Sequence, residues 1–282
     1  MDVTLFLLSA LLSTALLGVS GVVGVLATRR LEGDGSAALA TPTRRLPGDL
    51  LLALGWGFGL VPAGAFLLYL ITGIFVSWWT VYAVALLSIA ASVALWRWRS
   101  GQLASRRWLD SALFEAAKHH KVGLLATLAV TVLYFLTYNQ SGFSALESCA
   151  HQLGFVSTGS LSFENHVLAD RTQDARLGIP AVMSGFLALY QGLGLRFFYA
   201  ICGGLIALGG YTLGHHLLDR RRWGVIGLAL LALNPYVLKI PLIDENLVTL
   251  AFSATVIPML FRRDAPWLLI GLFASLLLGM RH

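Results

Sequence analysis

The chain has 282 residues, of which 57% are hydrophobic and 12% charged, with a mean hydropathy of +0.76 and a formal net charge of +6. A soluble domain carries about 25% charged residues, so roughly half of the usual water-facing side chains are missing. That balance excludes a soluble enzyme, a disordered chain, a disulfide scaffold and a nucleic-acid-binding module, and it points to an all-α polytopic membrane protein.

Apolar runs of about 20 residues recur along the chain, each able to cross a hydrocarbon core of roughly 30 Å. The first, Val3 to Thr28, follows Asp2 with no Lys or Arg before it, and Arg29 and Arg30 come after it. A secretory signal has the opposite charge order and a small-residue cleavage site. The sequence therefore predicts an uncleaved first span with the N-terminus outside the cytoplasm. Residues 29–49 form a connector that includes Arg44 and Arg45. Leu50 to Phe75 predicts the second span, Ser77-Trp78-Trp79 a turn with interfacial aromatics, and Val81 to Trp96 the third span. Residues 97–121 are basic, and Leu103, Trp108, Leu109, Ala112, Leu113 and Ala116 recur within them at helical spacing. That stripe suits a helix lying on the membrane surface, or one packed on neighbouring loops.

Val122 to Tyr138 predicts the fourth span. The longest polar segment follows, Asn139 to Arg176, with Glu147, Glu164, Asp170 and Asp174. After Pro180, the apolar stretch Ala181 to Tyr190 is too short to span and predicts an interfacial or re-entrant helix on the outside, directly after the long loop 139–180. Leu195 to Leu218 predicts the fifth span, ending in Asp219-Arg220-Arg221-Arg222, and Trp223 to Val237 the sixth, closing at Asn234-Pro235-Tyr236. A polar turn with Lys239, Asp244 and Glu245 leads into a seventh span ending at Phe261. After Arg262-Arg263-Asp264, the eighth runs from Pro266 to Met280.

Charge supports this layout of about eight spans. With the N-terminus outside, the connectors 29–49, 97–121, 219–222 and 262–264 are cytoplasmic and hold fifteen of the twenty Lys and Arg, while the fourteen acids divide equally. Every connector then obeys the positive-inside rule. Residues 1–121 keep their polar groups in cytoplasmic connectors, as an N-terminal three-helix membrane extension would. Residues 122–282 place acidic, His and Arg residues outside, so the chemistry is expected there.

Two acidic groups fall on that outside face: Glu147, Glu164, Asp170 and Asp174, and the pair Asp244-Glu245. Carboxylates at a water–lipid boundary can act as a general base or hold a divalent cation against phosphate. Arg171, Arg176, Arg196 and Lys239 share the face and can bind a phosphate group. The blander readings are loop acids in water, a helix-capping role for Asp244 and Glu245, and pairing of Asp170 or Asp174 with Arg171 or Arg176. Glu147 and His151 are two potential ligands where zinc needs more. His119-His120 and His215-His216 are expected to pack or to interact with the dipole at cytoplasmic helix ends. Cys149 and Cys202 are expected to be free thiols.

The order of elements in 122–282, with the segment Asp219 to Tyr236 and then Asp244-Glu245-Asn246, is similar to the N-terminal membrane portion of GT-C class glycosyltransferases, the polyprenyl-phosphate-sugar-dependent family. The resemblance implies transfer of a sugar from a polyprenyl-phosphate donor to an acceptor at the non-cytoplasmic face, in a cell envelope such as the bacterial cytoplasmic membrane. It implies Glu147 as the base, with Asp170 and Asp174 as rivals. Arg176, Arg196 and Lys239 would bind the donor phosphate, and Asp244 and Glu245 would hold a divalent metal ion. The first loop lacks the adjacent Asp-Glu pair common in several branches. The end at Arg281-His282 resembles a cut inside a longer module, so the missing C-terminal part or another membrane subunit is an expected partner. The alternatives are a non-catalytic membrane subunit that binds a partner through its helices and, third, a transporter component. Transporters place ionisable groups within their spans, and these spans have almost none.

Overall fold

The computed structural model describes residues 3–32, 42–74, 76–100, 111–137, 178–190, 193–218, 220–234, 245–262 and 267–281. Among them there is no strand, and the helices are α1 (Val3–Glu32), α2 (Pro42–Gly55), a π-helical turn (Trp56–Leu60), α3 (Val61–Thr72), α4 (Trp78–Ser100) and α5 (Ser111–Thr137). They continue with α6 (Gly178–Tyr190), α7 (Gly194–Leu218), α8 (Arg221–Ala232), α9 (Glu245–Leu260) and α10 (Trp267–Arg281).

Among the described residues, five stretches are long and apolar enough to cross a membrane: Thr4–Thr28, Arg45–Thr72, Trp78–Trp98, Glu115–Thr137 and Gly194–Leu218. They coincide with the first five predicted spans and fit an integral membrane protein. The other three predicted spans fold as shorter helices. α8 has 12 residues, a length of about 18 Å against a hydrocarbon core of roughly 30 Å. Proline offers a local reason, because Pro235 follows the last described residues after α8 and disfavours helical geometry at the residue before it. α9 has 16 residues and α10 has 15. The stripe predicted as a surface helix also resolves differently. Residues 111–121 are the first turns of α5, continuous with the fourth span, and Ala116 is buried; Leu103, Trp108 and Leu109 lie outside the described residues.

Two local sequence features shape the second span. Pro62 has no N–H to give to the carbonyl of Phe58, and in an α-helix its ring would crowd that carbonyl. The chain widens by one residue per turn just before it, and the N–H of Val61 bonds the carbonyl of Trp56. α3 then ends at Gly73, whose φ of 72° places it in the left-handed region and lets its N–H reach the Tyr69 carbonyl at 2.7 Å. Ser77 and Thr80 exchange hydrogen bonds that start α4, so Trp78 is a helical residue with an exposed ring rather than part of the turn.

The bundle has an enclosed centre and an apolar periphery. In α7, 78% of the span window is buried, against 22–28% for α1, α4 and α5. Leu5, Leu8, Leu86, Leu87, Leu125 and Leu128 are exposed on those outer helices, as expected for side chains facing lipid acyl chains. Hydroxyls are satisfied locally by donation to the carbonyl one turn back, as with Thr127 to Gly123, Thr131 to Thr127 and Thr212 to Leu208. A few link helices: Ser13 Oγ lies 2.8 Å from Tyr82 Oη, and Trp56 Nε1 donates to Ser88 Oγ at 3.0 Å.

Small residues set the crossings. An added Cβ on Gly21 would meet the Ala53 carbonyl oxygen at 1.9 Å, and one on Gly57 would meet that of Leu17 at 2.1 Å, so α1 runs backbone to backbone along the second span. α7 approaches α8 the same way: an added Cβ on Gly210 would meet the Gly227 carbonyl oxygen at 2.6 Å, and one on Gly214 that of Trp223 at 2.2 Å. Residues 1–121 and 122–282 interlock, with Gly59 against the Phe252 ring, Gly55 against Phe273 and Gly185 against Pro62. α6 is half-length, as expected for the loop helix. Its Val182, Met183 and Phe186 are enclosed by protein instead of lying on a surface.

At one edge the Arg262 guanidinium, following α9, is buried beside α2. Its Nη1 lies 3.4 Å from Asp49 Oδ1 and 3.5 Å from the Arg45 carbonyl oxygen. An arginine in an apolar setting persists only when paired in this way.

The α7–α8 crossing has no flexible side chain to give way. Gly210→Val forces backbone apart and is expected to destabilise by about 3 kcal/mol, the upper end for overpacking. A melting temperature in detergent unchanged from wild type would contradict the crossing.

Candidate functional site

Three helices converge where α5 begins, α7 ends and α8 begins. α5 brings His119 and His120, the last turns of α7 bring Tyr211 and His215 one turn apart on one face, and α8 opens with Arg221 and Arg222 after Arg220. Tyr211 anchors the junction. Its ring fills the space left by two glycines, since a Cβ on Gly123 would meet it at 2.2 Å and one on Gly224 at 2.8 Å. Held between α5 and α8, the phenol is directed at His120, with Oη 2.7 Å from Nδ1.

The imidazoles stack outward from this anchor. The His120 ring is edge-on to Tyr211 and to His215, with centroids 5.7 and 5.0 Å apart, and His119 is edge-on to His120 at 4.9 Å. His120 and His215 are buried, whereas His119 is half-buried and faces the arginines. Arg221 Nε donates to His119 Nε2 at 2.9 Å, and Nη2 lies beside Nδ1 of the same ring. Arginine is a donor only, so the accepting nitrogen of His119 carries a lone pair and not a proton. Outside the rings a cleft of about 560 Å³ opens, lined by His119, His215, Arg220, Arg221 and Arg222.

The three histidines are the one grouping of metal-ligating side chains among the described residues, with one nitrogen from each lying within 4.8 Å of the others. Their chemistry suits a transition metal, but two features oppose it. Tetrahedral zinc at about 2.0–2.1 Å from each nitrogen needs them roughly 3.3 Å apart, so the helices would have to close further. Arg221 also occupies His119. A divalent ion about 5 Å from that guanidinium meets a repulsion of about 7 kcal/mol at an effective dielectric near 20, before salt screening. The same field attracts an anion. The arrangement is therefore a better anion site than a cation site.

Of the residues expected from sequence, Arg196 is the one whose side chain is described. Glu147, Asp170, Asp174, Arg176, Lys239 and Asp244 lie outside the described residues. Glu245 is the first residue of α9, and nothing is described of its side chain. Arg196 is half-buried in the first turn of α7. It stands 19 residues before His215 on one helix, about 28 Å away, and belongs to the opposite end of the bundle. The arginines of the cleft were legible only as topology markers, and the two histidine pairs only as helix ends. One signal was present: both pairs lie at the termini predicted to share a side with the arginine turn.

In comparisons with known proteins, no family, no curated protein and no solved structure matches this chain. Its chemistry has to be read from its own residues.

Tyr211→Phe keeps the ring between the two glycines and removes only the bond to His120. The expected loss is about 1 kcal/mol, seen as a lower melting temperature with helix content unchanged; a variant as stable as wild type would show that the phenol does not order the histidines.

Proposed function

We propose that this chain is the membrane part of a transferase that takes a sugar from a polyprenyl-phosphate-linked donor and delivers it to an acceptor at the non-cytoplasmic face. The carrying observation is the order of elements. A membrane helix, α5, is followed by the polar stretch 138–177, with four carboxylates, and then by the half-length helix α6, which doubles back on the start of α7. Tyr190 stacks on Phe197 with ring centroids 4.3 Å apart, Phe186 meets Phe198 at 5.2 Å, and Arg196 lies in the same first turn. The arginine turn, α8 and the acidic entry to α9 at Glu245 follow. This order of parts is similar to that of the GT-C class, from which the first loop departs in lacking the adjacent Asp-Glu pair of several branches.

In this reading the chain has about eight passes with its N-terminus outside, in an envelope such as the bacterial cytoplasmic membrane. Glu147, with Asp170 and Asp174 as rivals, removes the acceptor proton. Arg176, Arg196 and Lys239 neutralise the departing polyprenyl phosphate, and Asp244 and Glu245 hold a divalent ion beside it. A positioned base contributes about 10²–10⁴ in rate, and cations at developing phosphate charge act through electrostatic stabilisation.

A second reading, a non-catalytic membrane subunit, draws on a different observation. Leu5, Leu8, Leu12, Trp78 and Leu189 border an apolar cleft of about 390 Å³ between α1, α4 and α6. Such a cleft suits a neighbouring helix or an acyl chain. The two readings separate in one assay: release of polyprenyl phosphate from a panel of polyprenyl-phosphate sugars by membranes containing the chain. Transfer predicts a drop of at least 100-fold in Glu147→Gln, and a comparable drop when Asp244→Asn and Glu245→Gln are combined. Activity untouched in all of these folded variants refutes catalysis. Loss of a co-purifying membrane protein on changing Leu8 and Leu12 to alanine would then speak for the subunit.

A further inference from the structure

We infer that the cleft between the start of α5, the end of α7 and the start of α8 is a phosphate-binding site, taking a phosphate monoester or diester carried on a lipid headgroup or free in solution. Its volume of about 560 Å³ falls in the range of small-ligand pockets and exceeds that of a single phosphate group. Every described lining residue carries a nitrogen donor or a guanidinium: His119, His215, Arg220, Arg221 and Arg222. No carboxylate is among them. Asp219, next in sequence, lies outside the described residues.

Arginines that merely mark a membrane side need only reach water, and they can do so independently. Here they border one concavity, and one of them is held in place. The contacts of Arg221 Nε and Nη2 with the His119 ring hold one edge of the guanidinium plane and leave its other end, the Nη1 and outer Nη2 N–H groups, for a ligand. A planar fork held in this way recognises paired phosphate oxygens. Behind it, the wedge of Tyr211, His120 and His215 is packed tightly enough to act as a floor. His119 is then a positioning residue: it orients Arg221 and does not itself need to be charged.

This site is independent of the proposed sugar transfer. Arg196 is about 28 Å away along α7, so the two cannot hold the same phosphate, and failure of one leaves the other standing.

The test uses the full chain purified in phosphatidylcholine nanodiscs. Two probes are compared: inorganic phosphate added to the buffer, read by thermal shift, and phosphatidic acid titrated into the nanodisc, read by native mass spectrometry of retained lipid. Saturable binding of either probe supports the site. Phosphate alone identifies a free anion, and phosphatidic acid alone identifies a headgroup. Arg221→Gln is expected to weaken binding at least tenfold, and Arg221→Lys, which keeps the charge and loses the fork, at least fivefold. Arg97→Gln, on α4, is the control for surface charge and is expected to change binding by less than twofold. Should a variant fail to fold, phenylglyoxal modification of Arg220, Arg221 and Arg222 in the wild type gives the answer, because bound phosphate protects them and chloride at equal ionic strength does not. The inference is overturned if neither probe saturates, if Arg221→Gln binds as well as wild type, if Arg97→Gln loses as much as Arg221→Gln, or if zinc rather than phosphate stabilises the protein.

Discussion

The structure depends on how closely the α7 backbone can be approached. Hydrocarbon offers no hydrogen-bonding partner and little hydrophobic drive between helices, so helices associate there through close packing and small side chains. α7 takes this further than its neighbours. Gly203 and Gly204 receive Tyr134 and Thr131 of α5, Gly209 meets Ala254 of α9, and Gly210 and Gly214 meet the α8 backbone. A helix so lined can be surrounded by three others. α1, α4 and α5 keep broad leucine faces for the lipid instead.

The candidate site follows from the same property. Gly123 and Gly224 leave a slot for the Tyr211 ring, and the slot fixes where the phenol points. His120 and His215 can then be buried side by side, and His119 is left at the rim to meet Arg221. Packing deep in the bundle thus sets the direction of a guanidinium at its end. At the opposite end Tyr134 does comparable work, donating to the Ala232 carbonyl at 2.9 Å and satisfying an acceptor that the end of α8 leaves open.

Hydropathy made the five long helices legible, because a stretch of apolar residues about 20 long has few other uses. It could not separate a crossing helix from a short buried one. Trp223 to Val237 reads as a span, yet α8 stops at Ala232, ahead of Pro235. The stripe over residues 103–116 has helical spacing, but spacing alone does not say whether the helix stops or, as with α5, runs on into the membrane. The histidine–arginine cluster was illegible for a different reason. His120 and Tyr211 are 91 residues apart and His119 and Arg221 are 102 apart, so nothing local in the sequence brings them together. The acids and cations singled out from sequence followed the outside loop and the turn before α9. Of these, Arg196 is the residue whose side chain the structure describes, and its place at the far end of α7 keeps it apart from the cleft.

The central claim is that α5 and α7 cross the membrane antiparallel, so that His119 of α5 meets Arg221, at the start of α8 after α7 ends, at one surface. Single cysteines at Lys118, Arg222 and Thr137, all exposed positions, in a background without Cys149 and Cys202, test it most directly with a membrane-impermeant maleimide applied to sealed vesicles of known orientation. The account predicts that Lys118→Cys and Arg222→Cys label from one side and Thr137→Cys from the other. Labelling of Lys118→Cys and Thr137→Cys from the same side, or of Lys118→Cys and Arg222→Cys from opposite sides, would contradict it.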